Sequence, residues 1–542
     1  MKKQLIFTLL CSLSFVFGNA QTPITATIGY QGYDETQAYF GEAEYQIFMD
    51  NTTNVLDKPI ILIDGFDPGD TRDINGMYAL LDYNGNNIAD ELRDEGFDFV
   101  LLNFPIYTRA SDNVEVDGGS DYIQRNAMIL AELISQINAQ KTGNEELVVI
   151  GPSMGGLISR YALKYMEDNS LAHQTRLFIS WDSPHKGANL PISIQYLMNY
   201  LAEANGGNAD LQASVEATLN NPASKEMLID HYLGHLQNGS AYEQDASSLL
   251  PEGAPNFRDA FQTELDALGF PQQTRNIAVA NGSGIGAMTG SPGMVVLDNV
   301  FNIPNSGGST VDIELHFAPV AGQTIEVEKT TIDIPIFADI VYSYNATSFG
   351  YTDGVDSAPG GKYNMQSFLG GTSGNQLLTD LINALQQSEF CFIPTISAMA
   401  IANENDWYQS LDIGNTHTSP FVAYHIPDVN EDHVTPTQAN VDFILLEIRN
   451  TPASIADEIL ANKYLLRTNP VTDTVNIVSQ NTGSSTNATI SIFSLAGQRL
   501  LQKPMDTNSS LVSIPIQLNN GIYFLEIVDD ETTYVKKFIV SK

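Results

Sequence analysis

The sequence predicts an α/β protein with a mostly parallel sheet, followed by a smaller all-β domain. Between residues 59 and 184, short and almost continuously apolar runs alternate with segments of helical periodicity. Such alternation is typical of parallel strands joined by helices that cover both faces of the sheet. After residue 450, short alternating runs separated by Gly, Asn and Ser take over. With 542 residues, the chain is also long enough for more than one core.

Five apolar runs are predicted to be strands of the large sheet. They are Pro59–Asp64, Phe97–Asn103, Glu146–Ile150, Arg176–Trp181 and Thr274–Ala280. Apolar residues at helical spacing predict a helix over residues 120–139, between the second and third of these strands. The same periodicity predicts that a helix over residues 435–449 closes the domain, which we expect to span residues 21–450.

Two insertions are predicted after the fourth strand. Residues 188–270 read as a helical cap, with helices over 192–201 and 213–232. The apolar clusters of this cap fit either a lid over a hydrophobic acyl pocket or simply the packed face of a cap helix. Residues 290–345 alternate in the manner of strands, as in Thr310–Phe317, and predict a β-rich insertion whose role the sequence leaves open.

The first 20 residues predict a secretory signal peptide. Lys2 and Lys3 form a basic start, Leu5–Phe17 an apolar run, and Gly18–Ala20 a small-residue cleavage site. Cleavage after residue 20 would leave Cys391 as the one cysteine, so we expect no internal disulfide.

The charge of the chain excludes some partners. The formal net charge is −39, from 64 acidic and 25 basic residues. Nucleic-acid binding depends on Lys and Arg contacts with phosphates, and attraction to anionic membranes also needs basic residues, so neither is expected. After the signal peptide, no segment reaches the roughly 18 apolar residues of a membrane-spanning helix, and we predict no integral membrane segment.

A Gly-Pro-Ser-Met-Gly sequence at residues 151–155 carries the predicted chemistry. It follows the strand that ends at Ile150 and precedes a helical pattern over residues 156–163. In this strand-to-helix context, a G-x-S-x-G sequence forms a sharp turn that presents the serine above the edge of the sheet. We therefore predict Ser153 as a catalytic nucleophile.

A serine hydroxyl needs a positioned base to remove its proton. We predict His433 as this base, because it lies late in the chain on a loop directly before the last helix of the domain. His417 and His425 are nearby alternatives. The four histidines at positions 173, 231, 235 and 316 are assigned to surface or cap elements.

Three carboxylates are candidates for the acid that orients the base. Asp182 ranks first, because it stands where the fourth strand ends. Asp356 ranks second and Asp353 third, both on a Gly-rich loop farther along the chain. Each of them also fits an ordinary turn residue.

Two backbone N–H groups are needed to stabilise an oxyanion. The N–H of Met154, directly after the nucleophile, and that of Phe66, on the loop after the first strand, are the predicted donors. The nearby aspartates at positions 64, 67, 70 and 73 lack the pattern of a calcium loop and are expected to be solvated turn carboxylates. No metal and no cofactor are predicted.

Residues 150–163 and Ser183–Gly187 resemble the nucleophile turn and a following loop of bacterial lipases in the α/β-hydrolase superfamily. The resemblance covers roughly residues 55–450 and implies a serine esterase or lipase. It also implies that His185, inside the second motif, is structural. The chain differs in having Pro152 and Asp64 at positions where these lipases often have histidine.

The C-terminal residues 467–542, joined by a linker over residues 451–466, resemble the type IX secretion sorting domain of Bacteroidetes. The resemblance rests on four segments: Asn469–Ile477, Ser494–Arg499, Asn520–Phe524 and Lys536–Lys542. It implies export to the periplasm, recognition by the type IX machinery and passage across the outer membrane, often with removal of this module.

The sequence thus predicts a secreted or cell-surface serine hydrolase that cleaves carboxylic esters, with lipid or other acyl esters as substrates. Two alternatives stay open. An amidase or peptidase would use the same three residues, and a catalytically silent binding protein would use only the scaffold.

Overall fold

The computed structural model describes most of the chain, in two compact units formed by Met1–Leu446 and Glu447–Lys542. The described residues are 21–204, 207–245, 247–303, 306–366, 376–450, 464–466, 471–479, 488–494, 498–505, 509, 511–529 and 533–540. The predicted signal peptide, and all of the predicted linker except residues 464–466, lie outside them.

An eight-stranded sheet forms the centre of the first unit. Its strands are β1 (Thr22–Thr25), β2 (Glu42–Phe48), β3 (Pro59–Ile63), β4 (Asp98–Asn103), β5 (Leu147–Pro152), β6 (Thr175–Trp181), β7 (Arg275–Val279) and β8 (Ala423–His425). The strand order is β1-β2-β4-β3-β5-β6-β7-β8. Only β2 among these strands runs against the others, pairing antiparallel with both β1 and β4.

Helices cover both faces of this sheet. Every residue of β3, β4 and β6 is buried, so residues that point to opposite faces are equally shielded from water. This explains why the strands read as continuous apolar runs. The predicted α/β class with a mostly parallel sheet is confirmed. The helices of this unit are α1 (Ile74–Ala79), α2 (Ile88–Asp94), α3 (Ile123–Gln140), α4 (Met154–Asp168), α5 (Ile192–Glu203), α6 (Ala209–Thr218), α7 (Pro222–Met227), α8 (Arg258–Leu268), α9 (Gln376–Ala384), α10 (Thr395–Ala398) and α11 (Gln438–Arg449).

The cap is helical, but the helix predicted over residues 213–232 is wrong. The chain forms α6 and α7 there, and a short 3₁₀ turn follows at Tyr232–Gly234. The reason is local. Asn221 accepts a hydrogen bond from the N–H of Ser224, and Pro222 takes the first helical position of α7. This cap-and-proline pair starts a new helix and cannot continue the old one.

The predicted β-rich insertion supplies four strands of a five-stranded sheet: Val295–Asn302, Thr310–His316, Thr324–Asp333 and Ile340–Ser348. The fifth strand, Leu249–Leu250, comes from the segment predicted as the helical cap. A separate hairpin of Gly360–Asn364 and Glu389–Pro394 follows it in the chain. This hairpin, which the sequence did not predict, supplies residues to the candidate site described below.

The second unit consists of antiparallel strands in two small sheets. One sheet holds Tyr464–Leu466, Thr474–Ser479 and Leu511–Pro515, and the other holds Ala488–Ser494, Arg499–Met505, Gly521–Asp529 and Thr533–Val540. Alternating apolar residues such as Val475, Ile477, Ile490 and Ile492 build its own core. The predicted small all-β domain is confirmed. Across the described part of the chain, no helix has the length and apolarity needed to cross a bilayer.

Glu328 is a buried carboxyl within the five-stranded sheet. Its Oε1 accepts a hydrogen bond of 2.6 Å from the Thr330 hydroxyl, and its Oε2 has no hydrogen-bond partner among the described residues. Burial raises the pKa of Glu328 to about 8, because water that would stabilise the anion is excluded.

The raised pKa predicts a pH-dependent stability difference between the native chain and Glu328→Gln. The folded state keeps the proton between pH 4.5 and about 8, whereas the unfolded state releases it. The free energy of unfolding of the native chain therefore falls as pH rises through this window. We therefore expect the difference between the Tm of Glu328→Gln and the Tm of the native chain to increase from pH 5 to pH 8, in favour of the variant. Asp339→Asn, at an exposed position of the same insertion, controls for the loss of one acidic residue, and a Tm difference independent of pH would contradict the prediction.

Candidate active site

Ser153 occupies a sharp turn between the end of β5 and the start of α4. Its backbone has φ 52° and ψ −128°, a strained combination for a residue with a side chain. Two glycines permit the turn. A Cβ added to Gly151 would lie 2.5 Å from the carbonyl oxygen of Gly155, and one added to Gly155 would lie 2.9 Å from that of Asp64. The spacing of the motif therefore follows from close backbone contacts on both sides of the serine.

Backbone hydrogen bonds hold this turn in place. The N–H of Ser153 donates to the carbonyl of Trp181, at the end of the adjacent strand β6, at 2.9 Å. The carbonyl of Ser153 accepts from the N–H of Gly156 at 3.0 Å. The strained residue is thus fixed to the sheet on one side and to its own helix on the other.

Asp182 and His433 are in direct contact. His433 Nδ1 lies 2.7 Å from Asp182 Oδ2, and the carboxylate has no solvent exposure. Its other oxygen accepts a hydrogen bond of 3.0 Å from the backbone N–H of Asn281, which follows β7. A buried carboxylate with donors on both oxygens is held in one orientation, and so is the imidazole that it contacts.

The loop that carries His433 is fixed by backbone pairing. The N–H of His433 donates to the carbonyl of Lys362, and that of Glu431 donates to the carbonyl of Asn281. The ring of Phe392 stands edge-on to the imidazole, with centroids 4.9 Å apart. Gly361 leaves room for the acid, because a Cβ there would fall 2.0 Å from Asp182 Oδ2.

The other two candidate acids have different partners. Asp356 accepts hydrogen bonds from the N–H of Ala318 and from the side-chain amide of Asn189, and burial raises its pKa to about 6. Asp353 accepts from the N–H of Ala321. Both brace the chain near the β-rich insertion, and the structure brings neither into contact with an imidazole.

The remaining histidines are held elsewhere. The alternative base His425 forms the end of β8, and the alternative base His417 faces Glu404. His185 Nε2 lies 2.8 Å from the Ser180 hydroxyl in a fully buried position, and burial lowers its pKa well below 6.5. His173, which the sequence assigned to a surface or cap element, is buried, and its Nδ1 accepts the N–H of Thr175.

The two predicted oxyanion donors lie on either side of the serine turn. Met154 opens α4, so its backbone N–H has no acceptor within the helix. Phe66 lies on the loop after β3, next to Gly65, whose added Cβ would sit 3.3 Å from the Ser153 Cβ. Asp64 holds this loop, because its Oδ1 accepts the N–H of Gly65 and two hydrogen bonds from the Arg72 guanidinium.

The expectation of solvated turn carboxylates is wrong for two of the four aspartates. Asp64 and Asp67 are only 3% and 5% exposed. Burial raises the pKa of Asp64 to about 6 despite its ion pair with Arg72. Asp67 bonds the Thr71 hydroxyl and the Arg72 N–H, which folds the loop back on itself. Among the described residues, no group of His, Cys, Asp and Glu is arranged to hold a metal ion.

Ser153 and His433 line one cavity of about 660 Å³. The carboxyl ends of the central strands form its floor, and residues of the cap contribute to its wall. Apolar side chains supply much of the lining, among them Leu81, Leu190, Met227, Leu228, Phe390 and Val434. Polar residues also line it, namely Asp64, Asp67, Arg72 and Tyr363 and the hydroxyl residues Thr71, Ser214, Thr218, Ser224 and Thr435.

Three contributors to this site were missed from the sequence. Arg72 is an ordinary loop residue until the fold pairs it with Asp64. Asn281 stands directly after β7, and its position at the carboxyl edge of the sheet is the one signal that could have identified it. Gly361 and the hairpin around it carry no motif, and only the folded chain shows that they pack against Asp182.

Two parts of the chain match known families. Residues 57–224 match the PGAP1-like alpha/beta domain, and residues 468–541 match the secretion system C-terminal sorting domain. No curated protein matches the chain. A sorting domain of this kind directs export by type IX secretion, to the cell surface or the extracellular space, and implies contact with that secretion machinery.

Several solved structures resemble part of the chain at low sequence identity. Est1E from Butyrivibrio proteoclasticus is 9% identical, with a TM-score of 0.23, over 44% of this chain and 73% of that one. The peroxisomal alpha-beta-hydrolase Lpx1 from Saccharomyces cerevisiae is 12% identical, with a TM-score of 0.25, over 48% and 74%. The rice cell wall degrading esterase LipA from Xanthomonas oryzae is 11% identical, with a TM-score of 0.25, over 48% and 75%.

The matched segments agree with the strand order and with the two compact units. Residues 57–224 cover β3 to β6, the serine turn and the first helices of the cap. Residues 57–224 therefore match a PGAP1-like alpha/beta hydrolase domain, and residues 468–541 match a C-terminal sorting domain of the type IX secretion system.

Proposed function

We propose that this chain is a serine hydrolase that cleaves carboxylic esters through an acyl-enzyme on Ser153. One observation carries the proposal. The strained serine at the head of α4 shares a cavity with His433, whose Nδ1 contacts the buried carboxylate of Asp182. Nucleophile, base and acid on three separate loops at one sheet edge support a hydrolase of the Ser-His-Asp type.

The roles of the three residues follow from this arrangement. Asp182 accepts the Nδ1 proton of His433, so the Nε2 lone pair is free to take the proton of the Ser153 hydroxyl. Ser153 then attacks the ester carbonyl, and the N–H groups of Met154 and Phe66 stabilise the oxyanion. His433 returns the proton to the leaving alcohol. In the second half of the reaction, His433 activates a water molecule that releases the acid from Ser153.

The lining of the cavity supports acyl esters as substrates. Leucine, methionine and phenylalanine side chains contribute much of its surface, which suits the hydrocarbon of an acyl group. The alternative amidase or peptidase must protonate a more basic leaving amine and bind a chain of peptide groups. The apolar part of the lining offers no hydrogen-bond partners to such groups, which favours the ester.

The first prediction concerns the nucleophile. Ser153→Ala should abolish labelling by a fluorophosphonate probe and lower kcat on a p-nitrophenyl ester by about 10⁴-fold or more, because no acyl-enzyme can form. Ser214→Ala is the matched control. Ser214 also lines the cavity, but its hydroxyl is bonded to the Asp210 carbonyl on a cap helix. Labelling that survives in Ser153→Ala would contradict Ser153 as the nucleophile, and a native chain that takes no label and hydrolyses no ester would leave the non-catalytic binding protein.

The second prediction distinguishes the candidate acids. Asp182→Asn should lower kcat by about 10³–10⁴-fold with little change in KM, because the imidazole loses its tautomeric preference and the stabilisation of its charged form. Asp356→Asn should retain kcat within about tenfold when kcat is calculated per molecule that reacts with the probe. The reason is that Asp356 bonds Ala318 and Asn189 and contacts no imidazole. Normalising to the probe-reactive fraction corrects for any loss of fold. A larger effect at Asp356 than at Asp182 would reverse the assignment.

The third prediction concerns the leaving group. The native chain should hydrolyse p-nitrophenyl esters of medium acyl length and leave peptide p-nitroanilides uncleaved under the same conditions. Both products are measured by absorbance, with Ser153→Ala as the blank for each. Anilide cleavage at a rate equal to ester cleavage would favour the amidase alternative.

A further inference from the structure

A long hairpin of the five-stranded sheet ends in an exposed apolar tip. The hairpin pairs Thr324–Asp333 with Ile340–Ser348, from Thr324 opposite Thr347 at its base to Ile332 opposite Ile340 at its outer end. The base is packed into the core through Tyr344 and Ala346. Exposure rises along the second strand toward the tip, so the outer end of the hairpin projects from the first unit.

Two large apolar side chains stand at this tip. Ile336 is 100% exposed and Phe337 is 71% exposed. Val341, just beyond the turn, is also exposed. Monomeric proteins carry single exposed apolar residues as a matter of course, but adjacent ones at a projecting tip indicate an interaction surface.

The backbone at Ile336 adds a second, independent observation. This residue has φ 65°, a region that β-branched residues strongly avoid. The N–H of Phe337 donates to the carbonyl of Ile334 and closes the turn. Glycine or asparagine would fit this position with less strain and would be better hydrated. An isoleucine at this position strains the backbone and exposes an apolar side chain to water. Both effects are unfavourable, which indicates that the side chain has a function.

The charge around the tip selects among possible partners. Asp333 and Asp339 flank the turn, and residues 330–345 contain no lysine or arginine. Anionic lipid headgroups attract basic residues, so this tip lacks the means to hold an anionic membrane. A convex tip also has no groove in which to bind a peptide. An uncharged or zwitterionic lipid interface accepts projecting apolar side chains without a preformed pocket.

We propose that the tip of this hairpin, centred on Ile336 and Phe337, inserts into the interface of uncharged or zwitterionic lipids. The role of this insertion in catalysis rests on the proposed function, because a lipid interface would present acyl esters to the enzyme. Binding itself does not depend on the chemistry at Ser153.

Vesicle flotation of the full chain tests the proposal. Phosphatidylcholine vesicles should carry the native chain upward in a density gradient, and Ile336→Ser/Phe337→Ser should reduce this partitioning by about tenfold or more. The matched control is Ile285→Ser/Met288→Ser, which changes two other exposed apolar residues and should float like the native chain. Equal circular dichroism spectra and equal Tm values in the native chain and in both double variants verify that they are folded, and turnover of a water-soluble ester should also be equal.

Each other outcome overturns the proposal. These are absence of native flotation, flotation that survives in the tip variant, an equal loss in the control pair, and stronger binding to phosphatidylserine than to phosphatidylcholine vesicles. A native chain that self-associates without lipid, and becomes monomeric in the tip variant, would identify a second copy as the partner instead. Ser153→Ala should float like the native chain, so a failed probe-labelling experiment would remove the proposed function without affecting this result.

Discussion

The hydrogen bond between Asp182 and His433 joins residues that are 251 positions apart in the chain. It closes only if the chain leaves the large sheet for the cap, returns through β7, leaves again for the five-stranded sheet and the later hairpin, and then brings His433 back to the carboxyl edge. The same contact requires the absence of a side chain at Gly361 and the backbone pairing of residues 431–433 with Asn281 and Lys362. The geometry around His433, the proposed base, therefore depends on the whole first unit.

The site residues that were easiest to predict from the sequence are those whose backbone conformation depends on residues close to them in the chain. The serine turn needs small residues two positions before and two positions after the nucleophile, because backbone atoms approach both within 3 Å of where a Cβ would lie. A strand before the turn and a helix after it complete the signal. The buried strands β3 to β7 were equally easy to predict from the sequence, because a strand that is buried on both faces has a continuous apolar run.

The features that the sequence did not reveal depend on distant parts of the fold. Strands β1 and β2 lie at the edge of the sheet and have mixed burial, and β8 has only three residues, so none has a continuous apolar run. Asp64 and Asp67 look like any loop carboxylates until Arg72, Thr71 and the surrounding backbone enclose them. The order of the candidate acids also rested on position alone, because Asp182, Asp356 and Asp353 all stand in turn-like sequence.

The end of β6 has a double role in this arrangement. The carbonyl of Trp181 accepts the N–H of Ser153, and the very next residue is the carboxylate that contacts His433. One strand end therefore positions both Ser153, the proposed nucleophile, and the carboxylate of Asp182, the proposed acid. Residues 295–348 contribute neither of these contacts, so a change in the five-stranded sheet would reach Ser153 and Asp182 only through the packing of the first unit.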